Sequence, residues 1–123
     1  MSKSRFLRIL IIDDDKFIRN QLASLFTTDN SAVLIFKTAE DALDTITNNG
    51  ADFVLTDIYL DGMTGLELIS LLKDKGNKTP VIAMTGDDSI ELERQVRSLG
   101  VYAYFVKPLE THLLAKTVRE AFL

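Results

Sequence analysis

Acidic, hydroxyl and amino side chains follow four short apolar runs in this chain. Three consecutive aspartates, Asp13–Asp15, interrupt the stretch IIDDDKF, and Asp57 ends the run FVLTD. Thr85 closes VIAMT, and Lys107 lies before a proline in YFVKP. Adjacent carboxylates repel and raise one another's pKa, so a cation must compensate them or they must point in different directions. Carboxylates with no histidine or cysteine among them suit a hard cation such as Mg²⁺, with Mn²⁺ as an alternative.

The same residue types favour phosphoryl-transfer chemistry. Mg²⁺ in proteins is usually held by one or two carboxylates together with waters and a phosphate oxygen. A phosphoryl group at such a site would meet a second positive charge from Lys107 and a hydrogen bond from Thr85. The carboxylate of Asp57 is ionised at neutral pH and can attack phosphorus without a general base. The metal, the lysine and the threonine would then neutralise charge on the equatorial oxygens.

The elements that must gather these side chains alternate regularly along the chain. Short apolar runs predict five strands, and each is followed by a stretch with helical spacing. Five such units predict a flavodoxin-like α/β fold: a doubly wound, five-stranded parallel sheet of order 2-1-3-4-5 with five helices. In that order the ends of strands 1 and 3 are neighbours, so their acids share one crevice. The predicted strands are Phe6–Ile12, Ala32–Phe36, Phe53–Leu55, Val81–Met84 and Tyr102–Val106.

Helix ends can be predicted from capping patterns. Thr64 precedes Glu67 by three residues, which is a capping box, and Thr38 with Asp41 is a looser version. Asp15 comes just before the first helix, and we interpret it as an N-cap rather than a metal ligand. Glycines lie where the second, third and fourth helices should end, at Gly50, Gly76 and Gly100. The fifth helix carries apolar residues at Leu113, Leu114, Val118 and Phe122.

Composition narrows the class of protein. The 123 residues, 46% of them hydrophobic, favour a single domain, residues 1–123, with no output domain. A net charge of -4 disfavours non-specific binding to nucleic acid or an anionic membrane. The absence of cysteine excludes disulfides and thiolate chemistry. No apolar run approaches the roughly 20 residues that span a bilayer, so we expect a cytoplasmic protein.

The segments ILIIDD, LTDI, MTG and FVKP, in this order and at this spacing, resemble the response regulator receiver domain of two-component signalling. The resemblance extends over the whole chain, and the set is specific although each segment alone is weak. It implies a CheY-like signalling module rather than an enzyme, with only autocatalytic phosphotransfer and autodephosphorylation. A sensor histidine kinase or a histidine phosphotransfer protein would be the donor. The output would pass to a protein partner through the helix 4–strand 5–helix 5 face, or to a homodimer formed on phosphorylation.

The resemblance also assigns the acceptor and the metal ligands. Asp57 would be the phosphorylated aspartate and a metal ligand. Asp14 would bind Mg²⁺ directly, whereas Asp13 would act largely through water. The backbone carbonyl of Tyr59 would be a further ligand.

The resemblance also implies that Thr85 and Lys107 are catalytic residues beside Asp57, and that Thr85 and Tyr104 are switch residues. Thr85 would move toward the phosphoryl group, and Lys107 would pair with it. Tyr104 would swing inward when Thr85 moves. The peptide bond between Lys107 and Pro108 would be cis.

The acceptor loop departs from the family pattern. Leu60-Asp61 stands where Met-Pro is usual, and Thr64 stands where an acidic residue is common. We therefore expect a less rigid loop with an added negative charge, and altered kinetics rather than lost phosphorylation. Tyr59 and Asp87 occupy positions that influence dephosphorylation in this family.

A phosphatase, a flavodoxin and a degenerate receiver are the alternatives to a phosphorylated receiver. A haloacid-dehalogenase-type phosphatase would use Asp13 as nucleophile, but Phe17 replaces the threonine of its Asp-x-Asp-x-Thr motif and nothing explains Asp57. A flavodoxin would place the flavin phosphate against three aspartates, which would repel it. A degenerate receiver that is never phosphorylated and acts as an interaction module remains open. We interpret the remaining polar and aromatic candidates as surface residues: Arg19, Arg94, Arg97, Tyr102, His112 and Arg119.

Overall fold

Strands and helices alternate through the part of the chain that the computed structural model describes, residues 6–121. Five parallel strands form one sheet of order β2-β1-β3-β4-β5, and five helices connect them, as predicted. Residues 1–5 and Phe122, which we expected in the last helix, lie outside the described residues. The elements are β1 (Leu7–Ile12), α1 (Lys16–Phe26), β2 (Ser31–Phe36), α2 (Ala39–Asn49), β3 (Phe53–Asp57), α3 (Gly65–Asp74), β4 (Val81–Thr85), α4 (Ile90–Ser98), β5 (Ala103–Val106) and α5 (Thr111–Glu120).

The core is divided by the sheet into two layers. Successive side chains of a strand point to opposite faces, so Leu10 and Ile12 pack on the side of α2, α3 and α4. Ile9 and Ile11 pack on the other side, against α1 and α5. Every residue of the central strands β3 and β4 is buried. Burial on both faces explains why these strands are continuous apolar runs rather than alternating ones.

The first residues of three predicted strands were wrong. Phe6 and Tyr102 lie outside the strands and are 60% and 45% exposed, and β2 begins at Ser31 instead of Ala32. Beyond the apolar runs that end at Leu55 and Met84, the expected ends of FVLTD and VIAMT are confirmed: β3 continues to Asp57 and β4 to Thr85, since the parallel ladder pairs Asp57 with Met84 and Thr85 with Val106. These two polar residues are therefore held by strand backbone rather than by a loop.

The predicted helix ends are confirmed. The Asp15 carboxylate accepts hydrogen bonds from the first turn of α1, and Thr38 caps α2. Thr64 and Glu67 form the full capping box at α3. The three glycines that follow α2, α3 and α4 have positive φ values of 77°, 71° and 82°, which suit glycine at a helix end: Gly50, Gly76 and Gly100.

Candidate functional site

Three carboxylates meet at the carboxyl edge of the sheet. Oxygens of Asp13, Asp14 and Asp57 all lie within 4.8 Å of one another. They meet because β1 and β3 are neighbours, with Ile12 paired to Thr56. Asp13 is fully buried and Asp57 is 6% exposed, whereas Asp14 is exposed. The sheet thus turns two distant sequence segments into one acidic cluster.

Lys107 lies between the two buried carboxylates. Its Nζ donates hydrogen bonds to Asp13 Oδ2 at 2.8 Å and to Asp57 Oδ2 at 3.0 Å. Its backbone N–H donates to the carbonyl of Thr85 at 2.7 Å, and the bond to Pro108 is cis, as expected. One ammonium for three carboxylates leaves the cluster negative, a charge that favours a further cation.

Burial and charge shift the pKa values in this cluster. Burial raises the pKa of Asp57 above its ordinary value of 3.8; the hydrogen bond from Lys107 opposes this, and the charge of Asp13 adds to it. Burial alone would lower the pKa of Lys107, but its hydrogen bonds to Asp13 and Asp57 outweigh burial and raise it. Lys107 is therefore a firmly protonated ammonium, and ionised Asp57 is held at a cost that an added cation would reduce.

Both the side chain and the backbone of Asp13 are held by hydrogen bonds. Its Oδ1 accepts from the backbone N–H of Asp15 at 2.9 Å, and its own N–H donates to the carbonyl of Phe36 at 3.1 Å. Its carbonyl accepts from Arg19 Nη1 at 2.7 Å. The prediction that Arg19 lies on a solvated helix face was therefore wrong: its side chain reaches from α1 back to the acidic turn. Helical spacing alone cannot show this contact, because it depends on where the turn runs.

Asp15 turns away from the cluster. Its carboxylate accepts from the N–H groups of Phe17 at 2.8 Å and Ile18 at 3.4 Å, at the positive end of α1. Among the described residues it does not belong to the group of acids that could hold a metal ion. The three aspartates are thus divided: Asp13 and Asp14 belong to the acidic cluster, and Asp15 caps the helix.

The start of the acceptor loop, residues 58–64, is set by close backbone contacts. Tyr59 N–H donates to Asp57 Oδ1 at 3.2 Å, and Gly65 N–H donates to the carbonyl of Ile58 at 2.8 Å. A Cβ at Gly65 would overlap the backbone carbonyl of Asp57. Only glycine therefore allows α3 to begin this close to the acceptor strand.

The far end of the loop is anchored to α2. Glu40 Oε2 accepts from Met63 N–H at 3.1 Å, and Gly62 packs against the same carboxylate with φ of 76°. Leu60 is buried in the core beside these residues. Sequence reasoning did not identify Glu40, because a glutamate in the first turn of a helix is already explained by the helix dipole. The lower rigidity expected for this loop stays a prediction.

The remaining predicted site residues, Thr85 and Tyr104, both contact Asp87. Thr85 is fully buried, and its Oγ1 accepts from Asp87 N–H at 3.0 Å rather than bonding to Asp57. The half-buried Tyr104 donates its hydroxyl to the Asp87 carbonyl at 3.4 Å. The Asp87 carboxylate accepts from Tyr59 Oη at 2.7 Å and from Ser89 N–H at 2.9 Å. These contacts join the edge of the site to the start of α4.

The pKa values agree with these contacts. The hydrogen bond to Asp87 raises the pKa of the Tyr59 hydroxyl. The N–H of Ser89 and then the hydroxyl of Tyr59 lower the pKa of Asp87. Burial raises the pKa of Tyr104. Asp87 is therefore a charged acceptor in this arrangement.

Most of the residues interpreted as surface positions are exposed. Tyr102 packs edge-to-face on Phe53 with ring centroids 5.6 Å apart. Arg97 pairs with Glu93 at 2.7 Å and lies 5.7 Å over the Tyr104 ring. Arg94, His112 and Arg119 are exposed. Within residues 6–121, none of the helices is long and apolar enough to cross a membrane.

Comparison with known proteins agrees with the fold. The family model of the response regulator receiver domain matches residues 9–119. The chain belongs to this family, whose members are signalling modules of two-component systems rather than classical enzymes. Members interact with histidine kinases or phosphotransfer proteins and with downstream targets.

Individual relatives are similar at moderate identity. Over 113 residues the chain is 29% identical to Response regulator MprA of Mycobacterium sp. (strain KMS), covering 92% of this chain and 49% of that protein. It is 28% identical to Sporulation initiation phosphotransferase F of Bacillus subtilis (strain 168), and the match covers 92% of this chain and 91% of that protein. The crystal structure of a CheY-like response regulator receiver domain protein from Methanospirillum hungatei JF-1 superposes with a TM-score of 0.87 at 30% identity. The match covers 94% of this chain and 93% of that chain. The chain spans about half the length of relatives such as MprA.

Proposed function

We propose that this chain accepts a phosphoryl group on Asp57 from a phosphohistidine of a sensor kinase or phosphotransfer protein, and then changes conformation to control a partner protein. The observation that carries the proposal is the Lys107 ammonium placed between Asp13 and Asp57, at 2.8 and 3.0 Å. A buried carboxylate beside a lysine and two further acids, at the carboxyl edge of a doubly wound sheet, is suited to phosphoryl chemistry.

The donor set fits Mg²⁺. Asp13, Asp14 and Asp57 offer hard oxygen ligands within 4.8 Å of one another, and the carbonyl of Tyr59 would be a further ligand. Asp14 is exposed, which suits a metal that keeps several waters. When bound there, the cation supplies positive charge to the phosphoryl oxygens.

The transfer step uses the residues already in place. An Asp57 carboxylate oxygen would form a bond to phosphorus while the bond from phosphorus to the donor imidazole nitrogen breaks. The bonding electrons return to that nitrogen, which takes up a proton. Lys107 would remain beside the phosphoryl group and neutralise it, and Thr85 would donate its hydroxyl hydrogen once it moves inward. Attack of water on phosphorus would later release phosphate and restore the carboxylate.

Output would pass through the face formed by α4, β5 and α5. Tyr104 lies on β5 and contacts Asp87 in the loop that precedes α4, so a movement of Thr85 can reach this face. Three apolar side chains on these elements are exposed by 63%, 39% and 49%: Ile90, Val106 and Leu113. They support a protein partner or a second copy of the chain at this face.

Acetyl phosphate or beryllofluoride with Mg²⁺ tests the proposal. We expect an adduct on the wild type, detected by intact mass or by fluorine NMR for beryllofluoride. Asp57→Asn should form none, whereas Asp61→Asn, which removes an exposed acid from the same loop, should form it normally. An adduct on Asp57→Asn would refute the assignment.

The same experiment separates the alternatives. A phosphatase with Asp13 as nucleophile predicts that Asp13→Asn loses the adduct and Asp57→Asn keeps it. Exposure favours Asp57 as the nucleophile, because Asp57 is 6% exposed whereas Asp13 is 0% exposed. A degenerate receiver predicts no adduct on any variant, with no Mg²⁺-dependent shift of the amide signals of Asp14, Asp57 and Tyr59.

A further inference from the structure

Asp87 forms hydrogen bonds through its N–H, its carbonyl and both carboxylate oxygens. Its N–H donates to Thr85 Oγ1 at 3.0 Å, and its carbonyl accepts from the Tyr104 hydroxyl at 3.4 Å. Its Oδ2 accepts from the Tyr59 hydroxyl at 2.7 Å, and its Oδ1 accepts from Ser89 N–H at 2.9 Å. We infer that Asp87 is a positioning residue that ties the acceptor loop to Thr85 and Tyr104 and restrains both before phosphorylation.

The hydrogen bond between Tyr59 and Asp87 joins two loops on either side of the site. Tyr59 and Asp87 are 28 residues apart, and they belong to the loops that follow β3 and β4. The Tyr59 side chain is 53% exposed, so packing contributes little to holding the ring where it lies. Its backbone N–H bonds to the Asp57 carboxylate at 3.2 Å. One continuous set of hydrogen bonds therefore runs from the acceptor carboxylate through Tyr59 and Asp87 to Thr85.

The same residue connects the site to α4. Ser89 is the N-cap of α4, and its hydroxyl accepts from Leu92 N–H at 3.3 Å. Asp87 fixes the backbone of Ser89 through Oδ1. If Thr85 moves toward Asp57, the Asp87 N–H must follow or lose its acceptor. Either outcome disturbs the contacts of Tyr104 and of the first turn of α4.

The Tyr59–Asp87 bond therefore acts as a latch on the unphosphorylated conformation. Breaking it releases the loop after β4 without touching Asp57, Lys107 or the metal ligands' side chains. A protein that lacks the Tyr59 hydroxyl should visit the rearranged state more often before any phosphoryl group is present. This consequence for activation rests on the proposed function, whereas the restraint itself does not.

Amide hydrogen exchange on the unmodified, metal-free protein tests the restraint directly. Tyr59→Phe removes the latch hydroxyl alone, and Asp87→Ala removes both carboxylate contacts. Tyr59→Phe should speed exchange of the amide at position 87 by about three- to tenfold, the factor expected for one lost hydrogen bond, and Asp87→Ala, which loses two, by at least as much. Asp87→Asn keeps one oxygen to accept from Ser89 N–H, and its amide NH₂ can donate to Tyr59 Oη, so this variant should stay near the wild type. Asp88→Ala removes the same charge from the neighbouring exposed position and should change nothing.

Two outcomes would overturn the inference. Unchanged exchange in Tyr59→Phe would show that the hydroxyl restrains nothing. Equal acceleration in Asp88→Ala and Asp87→Ala would show that charge, not the hydrogen bonds, is responsible.

Beryllofluoride titration then tests the link to activation. Tyr59→Phe should reach half-saturation at about three- to tenfold lower beryllofluoride concentration than the wild type. The factor is the same as for exchange, because the same lost hydrogen bond no longer favours the unphosphorylated conformation. An unchanged midpoint would overturn the coupling. Failure of the proposed function looks different: Asp57→Asn would then bind beryllofluoride as the wild type does, while the exchange result would still decide whether the latch exists.

Discussion

Replacing Lys107 with methionine tests the electrostatics of the site most directly. The ammonium lies 2.8 Å from Asp13 and 3.0 Å from Asp57, and both carboxylates are nearly or fully buried. At an effective dielectric constant of about 20, each attraction amounts to roughly 5–6 kcal/mol before desolvation is subtracted. Removing one partner of a buried ion pair typically costs about 3–5 kcal/mol. We expect about 3 kcal/mol here, because the Lys107 side chain keeps 21% exposure.

The assay is chemical denaturation in EDTA at pH 7. Without Lys107, Asp57 loses the hydrogen bond that opposes burial and the charge of Asp13, so its native pKa rises further above the ordinary value of 3.8. The native state then binds protons more tightly, so the deficit of Lys107→Met should shrink as the pH falls and be largest near neutrality. Mg²⁺ should restore more stability to the variant than to the wild type, because it replaces the missing charge.

Two controls decide whether this reasoning holds. Lys116→Met removes an exposed lysine from α5 and should stay within about 0.5 kcal/mol of the wild type. Adding Asp57→Asn to Lys107→Met removes one of the repelling charges and should recover part of the loss. The reasoning is refuted if Lys107→Met is as stable as Lys116→Met, or if the double variant is less stable than Lys107→Met.

Three further predictions concern the acid cluster and its supports. Because the pKa of Asp57 is raised in the native state, its contribution to stability should fall as the pH rises above 3.8 through the native pKa. The stability of metal-free wild type relative to Asp57→Asn should therefore decrease over this range, which melting temperatures in EDTA check. Asp15→Ala should cost about 1 kcal/mol in denaturation experiments and leave Mg²⁺ affinity unchanged, since Asp15 caps α1; lost Mg²⁺ binding would contradict that division of the triplet. Glu40→Ala should weaken Mg²⁺ binding about threefold, measured by NMR titration, and speed exchange of the Met63 amide, while Asp41→Ala, one residue along the same helix, should do neither.

The fold was predictable because each local signal agreed with the others. Buried strands, capping hydroxyls and glycines after helices all marked the same boundaries, and a right-handed parallel sheet leaves few topologies. The carboxyl ends of β1 and β3 become neighbours in the 2-1-3 order, so the meeting of Asp13 and Asp57 followed from strand order alone. The first residues of strands were less predictable: Phe6 and Tyr102 begin apolar runs, but both are exposed and lie outside the strands.

The contacts that support the site could not be inferred in this way. Arg19 reaches the Asp13 carbonyl, Glu40 holds the acceptor loop, and Asp87 joins Tyr59 to Thr85. Each of these residues has an ordinary explanation from its sequence neighbours, as a solvated helix residue, a helix-dipole acid or a turn aspartate. Apart from Thr85, which is two residues from Asp87, their partners are 6 to 28 residues away, on other turns or loops.

The sequence by itself determined the alternation of strands and helices and the set of chemical groups that follow the strands. Hydrophobic period, turn chemistry and strand-end residues are local properties, and they specify these features without reference to distant contacts. The strand order was predicted from the arrangement that is common in doubly wound sheets. Tertiary structure alone decided how the three aspartates divide, which of them Lys107 bonds, and that Asp87 links the acceptor loop to α4. Those outcomes depend on side-chain directions and distances within a few ångströms, which exist only after the two layers have packed.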